Sequence, residues 1–140
     1  ADAGILICYE NLYGSVVRTF WQSRSPDFLI VTSNLGWFGD THALPQHLNI
    51  SRMRAMEFAR PVIRATNTGM TAYVTSRGEV AAELPAMEPG KLDVKVAAAQ
   101  GEATPFVKFG ALPWLGAMVL LLISAILALL FRKRHRLPLK

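Results

Sequence analysis

Cysteine occurs once, at position 8, so no disulfide can close within the chain, and that count is compatible with either an oxidising or a reducing compartment. Surplus charge is also scarce. The formal +5 comes entirely from Arg132, Lys133, Arg134, Arg136 and Lys140, because the first 131 residues carry ten basic and ten acidic side chains. No basic face interleaved with aromatics precedes Arg132, which sets nucleic acid aside as a partner. No internal repeat or low-complexity stretch is visible. His42 and His47 are five apart, with Pro45 between them, and no cysteine or carboxylate cluster could complete a tetrahedral site, so neither a metal nor another cofactor is expected. The opening ADAGILIC has no initiator methionine and no basic segment ahead of an apolar run, so it does not read as a secretion signal. It reads as a chain cut from a longer one.

What is present divides at Pro113. Residues 1–110 have the composition of one modest domain, and LPWLGAMVLLLISAILALLF then runs from Leu112 to Phe131 without a charge. Twenty helical residues span roughly 30 Å, the hydrocarbon thickness of a bilayer. The organisation expected is a domain over 1–110, a transmembrane helix over 111–131 and a basic tail over 132–140. Five basic residues follow the span and only Lys108 lies close before it, which places the C-terminus in the cytoplasm and the domain on the outer side, the periplasm of a bacterium.

Within the domain, Gly4 to Cys8 has the length of a buried strand. Asn11 can start a helix whose stripe is Leu12, Val16 and Phe20, and FLIVTS (Phe28–Ser33) is a second buried strand beside the first. That βαβ unit sets Cys8 at the C-terminal end of its first strand, the edge of an open α/β sheet where ligands collect. Trp37 and Phe38 lie on a glycine-punctuated loop, either as a plug for the core or as a flap over an apolar site. A helix is expected from about Pro45 to Arg60, with Met53 and Met56 packed in the core. VIRATN, TAYVTS, GEVAAEL and LDVKVAA read as short strands of a mixed sheet.

The residues alone leave Cys8 with two readings. A free cysteine at the end of a buried strand is commonly a small apolar filler. A thiol ahead of a helix start also meets unpaired backbone N–H groups, which favour thiolate and can steady an oxyanion. His42 or His47 could pair with it as a base, although no third group that would orient such a base can be identified.

Blocks along the whole chain carry a resemblance. ICYE (7–10), SNLGWFGDT (33–41), PQHL (45–48), RMRAMEFARPVIRATNTGMTA (52–72) and GEATPFVKFG (101–110), followed by a span, resemble the C-terminal part of the bacterial apolipoprotein N-acyltransferases, membrane-bound members of the nitrilase-like carbon-nitrogen hydrolase superfamily. The resemblance implies an α/β fold: the second half of a nitrilase-like αββα sandwich followed by one transmembrane helix, at the bacterial inner membrane. It implies that Cys8 is the nucleophile of a Glu-Lys-Cys triad that takes an acyl chain from a phospholipid as a thioester and passes it to the N-terminal α-amine of an apolipoprotein. By the same carry-over, Tyr9 offers a backbone N–H to the oxyanion, Glu10 orients the site from behind it, and Asn34, Trp37 and Phe38 belong to the loop beside the acyl chain.

Two departures stand out. Leu35 and Gly36 occupy positions where the family commonly has an acid and an alanine. The triad's glutamate and lysine lie upstream of the cysteine, where this chain has no counterpart, and neither Glu10 nor Lys91 matches them by motif. The partners expected are therefore a phospholipid, an apolipoprotein, the bilayer and the missing N-terminal half, and the chain alone is expected to be inactive. The alternatives are a membrane-tethered amidase of the same superfamily and a non-catalytic, membrane-anchored binding subunit.

Overall fold

A computed structural model describes residues 1–97 and 101–135; Ala98–Gln100 and Arg136–Lys140, the latter part of the expected basic tail, lie outside the described residues. Two units are present, residues 1–108 and the remainder from Phe109. In the first, five strands form one mixed sheet in chain order: β1 (Ala3–Ile7), β2 (Phe28–Ser33), β3 (Val62–Thr66), β4 (Thr71–Val74) and β5 (Val80–Leu84). β1, β2 and β3 run parallel, and β4 and β5 return antiparallel. The register sets Ile7 beside Thr32 and Ser33 beside Thr66, so the C-terminal ends of the three parallel strands finish level.

One sheet face is covered. Its residues, among them Leu6, Leu29, Val31, Val62 and Val74, are fully buried against Leu48, Ala55 and Phe58 of the long helix α3 (Ala43–Phe58; α1 and α2 are defined below). Each such side chain contributes about 1.5–3 kcal/mol by leaving water. Trp21 stacks on Phe58 with centroids 4.8 Å apart, and Phe106 meets the same ring edge-on at 5.5 Å. On the opposite face Ile5 and Ile7 are exposed, together with Thr32 and Ala65.

The βαβ unit and the mixed sheet form as expected, but three local expectations are corrected. No single helix starts at Asn11. The chain makes a 3₁₀ turn (Cys8–Leu12), then two short helices, α1 (Gly14–Arg18) and α2 (Phe20–Ser23), and the buried residues there are Asn11 and Val17 rather than a Leu12–Val16–Phe20 stripe. The break falls where Tyr13 is extended and Gly14 passes under α3, so close that a Cβ at Gly14 would lie 2.3 Å from Arg54 Nη1.

Met53 and Met56 are 48% and 52% exposed, not core. The buried stripe of α3 runs Leu44, His47, Leu48, Ser51, Arg54, Ala55 and Phe58. It keeps helical spacing but is partly polar, which hides it from an apolar pattern. The segment Leu92–Ala97 is not a strand: Leu92, Val94 and Val96 alternate in burial with their neighbours, but no ladder partner lies beside them among the described residues.

A short helix, α4 (Pro105–Phe109), adds Val107 to the core of the first unit. The second unit holds α5 (Leu112–His135), whose Leu112–Arg132 stretch is long and apolar enough to cross a membrane and whose side chains through Arg132 are exposed.

Candidate active site

β1 ends at Ile7, and Cys8 turns the chain with φ +52°, the left-handed region that a residue with a Cβ enters at a cost of about 1–2 kcal/mol. Local bonds hold the turn. The Glu10 carboxylate accepts the Ile7 N–H at 2.7 Å, and Glu10 O accepts Tyr13 N–H at 3.2 Å. Glu10 thus acts behind Cys8 on the backbone, and its side chain does not continue the strand.

A second anchor comes from below. Asn11 is fully buried and donates from Nδ2 to Ser51 Oγ on α3 at 3.0 Å. That oxygen also accepts from Arg64 Nη1 at 3.0 Å. Arg64, on β3, has no exposed surface. It donates from Nη1 to His47 Nδ1 (2.6 Å) and His47 O (3.0 Å), and from Nε to Met70 O (2.9 Å). Accepting at Nδ1 leaves the His47 proton on Nε2. Burial, followed by the Arg64 charge, lowers the His47 pKa to about 4, so the imidazole is neutral at pH 7. Burial also lowers Arg64, to about 10, which leaves it charged. A buried cation is thus held by neutral acceptors, and the chain Arg64–Ser51–Asn11 ties the centre of the sheet to the cysteine turn.

Above this network a cleft of about 590 Å³ opens at the C-terminal ends of the parallel strands. Ile7 and Cys8 line it from β1, Thr32 to Asn34 from β2, Ala65 to Asn67 from β3, and Trp37 from the following loop. Of the residues singled out in the sequence, Cys8, Asn34 and Trp37 meet in the cleft. The Tyr9 side chain is exposed and points no group into it, although the N–H of Tyr9 lies in the first turn, which no bond within the turn engages.

Trp37 is 79% exposed and Phe38 37%, so neither plugs the core; Leu35, at 1%, does. Phe38 is not part of the cleft lining. Neither His42 nor His47 lines it, and His47 is committed to Arg64, which removes it as a partner for Cys8. Among the described residues no lysine or carboxylate lines the cleft either, and Lys91 pairs with Asp93 on the surface at 3.0 Å. Asn11, Ser51, Arg64 and Asn67 were not singled out as site residues. Arg64 and Asn67 both lie within the RATNTG block, where a buried arginine in a strand was the available signal.

Comparison with known proteins bears on the family and the fold. The family model described as carbon-nitrogen hydrolase matches residues 1–106. The chain is 50% identical over 122 residues to an apolipoprotein N-acyltransferase of Ralstonia nicotianae, covering 86% of this chain and 23% of that protein. It is 40% identical over 132 residues to one of Pasteurella multocida, covering 94% and 25%. It thus spans about a quarter of the length of these relatives. Among solved structures, a carbon-nitrogen hydrolase from Helicobacter pylori superposes with a TM-score of 0.52 at 18% identity, over 62% of this chain and 37% of that one, a likeness of fold.

Proposed function

Because the chain belongs to the carbon-nitrogen hydrolase family, we propose that it is the nucleophile-bearing part of an apolipoprotein N-acyltransferase, with Cys8 as the acyl carrier. The observation that carries this reading is the placement of Cys8 on a left-handed turn at the strand ends, facing a cleft rimmed by Trp37. In the first half-reaction, Sγ attacks the ester carbonyl carbon of a phospholipid. A C–S bond forms, the ester C–O bond breaks, the thiol proton passes to a base, and the departing lysophospholipid oxygen takes a proton. In the second, the α-amine of the lipid-modified N-terminal cysteine of an apolipoprotein attacks the thioester. The amide C–N bond forms, the C–S bond breaks, and the amine proton returns through the base to sulfur.

The Tyr9 N–H serves the oxyanion, a role in which one donor can supply about 3–4 kcal/mol of transition-state stabilisation. Glu10 is the orienter, its carboxylate on Ile7 N–H fixing the turn. Asn34 and Trp37, which line the cleft, border the acyl chain, and Phe38 belongs to the same loop outside the lining. The glutamate base and the lysine of the triad reside upstream, so this chain by itself is inactive. The arrangement in the cell is an inner-membrane protein crossing the bilayer at 111–131, with the domain of residues 1–110 in the periplasm and the tail from Arg132 in the cytoplasm, as the basic residues after the span support.

The test is N-acylation of a diacylglyceryl-modified peptide by the intact protein with a phospholipid donor. Wild type forms the amide, and Cys8→Ala abolishes it; a Cys8→Ala protein that retains turnover would refute the assignment.

A further inference from the structure

The loop that carries Trp37 is tied to the hairpin between β3 and β4 by one side chain. Asn67 Oδ1 accepts the Leu35 N–H at 2.9 Å, and Asn67 Nδ2 donates to Asn34 Oδ1 at 2.8 Å. Asn34 Oδ1 also accepts the Gly36 N–H at 3.1 Å. Two backbone donors therefore settle which end of each amide is oxygen, and the pair has a single orientation. The Asn34 carbonyl in turn accepts Trp37 Nε1–H at 3.0 Å, so the indole hangs from the residue that Asn67 holds. The same hairpin receives the neighbouring side chain: Leu35 is buried so close to Gly69 that a Cβ there would lie 2.5 Å from Leu35 Cδ1. The loop is thus clamped at its base, and at its tip Trp37 is exposed and lines the cleft.

We infer that Asn67 is a positioning residue that sets the attitude of Trp37 and thereby selects long acyl chains over short ones. The inference rests on the acyl-transfer reading above. Cys8 and its turn are reached by none of these bonds, so Asn67 acts on the loop directly and shares only the cleft with Cys8. Trp37 and Cys8 line the same cleft, so on this inference a long chain extending from the reacting carbonyl meets the indole and a short one does not.

Asn67→Asp in the intact protein separates these roles. The carboxylate still accepts the Leu35 N–H, but it cannot donate and sets a negative charge against Asn34 Oδ1. Asn67 is exposed, so the fold tolerates the change. Acylation of Cys8 is compared between a long-chain phosphatidylethanolamine in mixed micelles and p-nitrophenyl butyrate, alongside amide hydrogen exchange of residues 35–38. Because Asn67 lines the same cleft as Cys8, the new carboxylate lowers kcat/KM for both donors, and the expected result is a loss about tenfold larger for the long-chain donor than for the short ester, the excess mainly through KM. In a Trp37→Ala background Asn67→Asp adds no such excess for the long-chain donor, the signature of a coupled pair. Exchange at 35–38 accelerates while β2 is unchanged. Equal losses on both donors, or unchanged exchange at 35–38, would overturn the inference. If wild type acylates with neither donor, the acyltransfer reading falls, and with it the claim of chain-length selection; the exchange result still decides whether Asn67 holds the loop.

Discussion

Arg64 Nη1 lies 2.6 Å from His47 Nδ1 in the buried layer between β3 and α3, an arrangement that requires the imidazole to be neutral. The folded pKa of His47 is about 4, against an ordinary value of 6.5. An unfolded chain therefore binds a proton here between those values that the folded chain refuses. The stabilisation from this group is complete above about pH 6.5 and is lost as pH falls toward 4, a change of about 3 kcal/mol in all. The apparent Tm of the detergent-solubilised protein should fall between about pH 7.5 and 4.5, and His47→Asn, which keeps an acceptor near the Nδ1 position and does not titrate, should flatten that slope. An unchanged slope in His47→Asn would show that other groups control acid stability.

Ser51 Oγ is the joint between Arg64 and Asn11. Ser51→Ala removes the acceptor of the buried Asn11 Nδ2, while Arg64 Nη1 keeps His47 Nδ1 and O, and it should lower stability by about 1–3 kcal/mol. Urea unfolding measures it. Because Asn11 belongs to the Cys8 turn, kcat should also fall at temperatures where the variant is fully folded. A variant with lowered stability and wild-type kcat would confine the network to structure.

Glu10 acts through its bond to Ile7 N–H, so its charge matters less than its acceptor oxygen. Glu10→Gln should retain most of the activity, and Glu10→Ala should lose at least about tenfold in kcat with little change in KM. Steady-state kinetics on the intact protein distinguish the two. Equal, severe losses in both variants would instead assign the carboxylate a role in proton transfer.

Short apolar runs are enough to find β1 and β2 and the parallel start of the sheet, and strand-like segments between glycine turns are enough to find β3 to β5; helical apolar spacing is a poorer guide. It was misleading on α3, where His47, Ser51 and Arg54 take buried positions and Met53 and Met56 take exposed ones. The polar groups buried there bond partners far apart in sequence, Asn11 with Ser51 and His47 with Arg64, which no local pattern displays. Leu92–Ala97 shows the converse limit, a strand-like alternation without a ladder partner among the described residues. At the site, Cys8, Asn34 and Trp37 were legible from the resemblance of their blocks. Asn67 was not, because its part is a pair of hydrogen bonds to a loop some thirty residues earlier.

The direct measurement is peptide mapping by mass spectrometry of the intact protein quenched after exposure to a phospholipid donor without acceptor. The expected result is one donor acyl chain on the Cys8 peptide, removed by neutral hydroxylamine and discharged by the diacylglyceryl peptide, and no such adduct on the 140-residue chain alone. An unmodified Cys8 in an intact protein that nonetheless transfers acyl chains would contradict it.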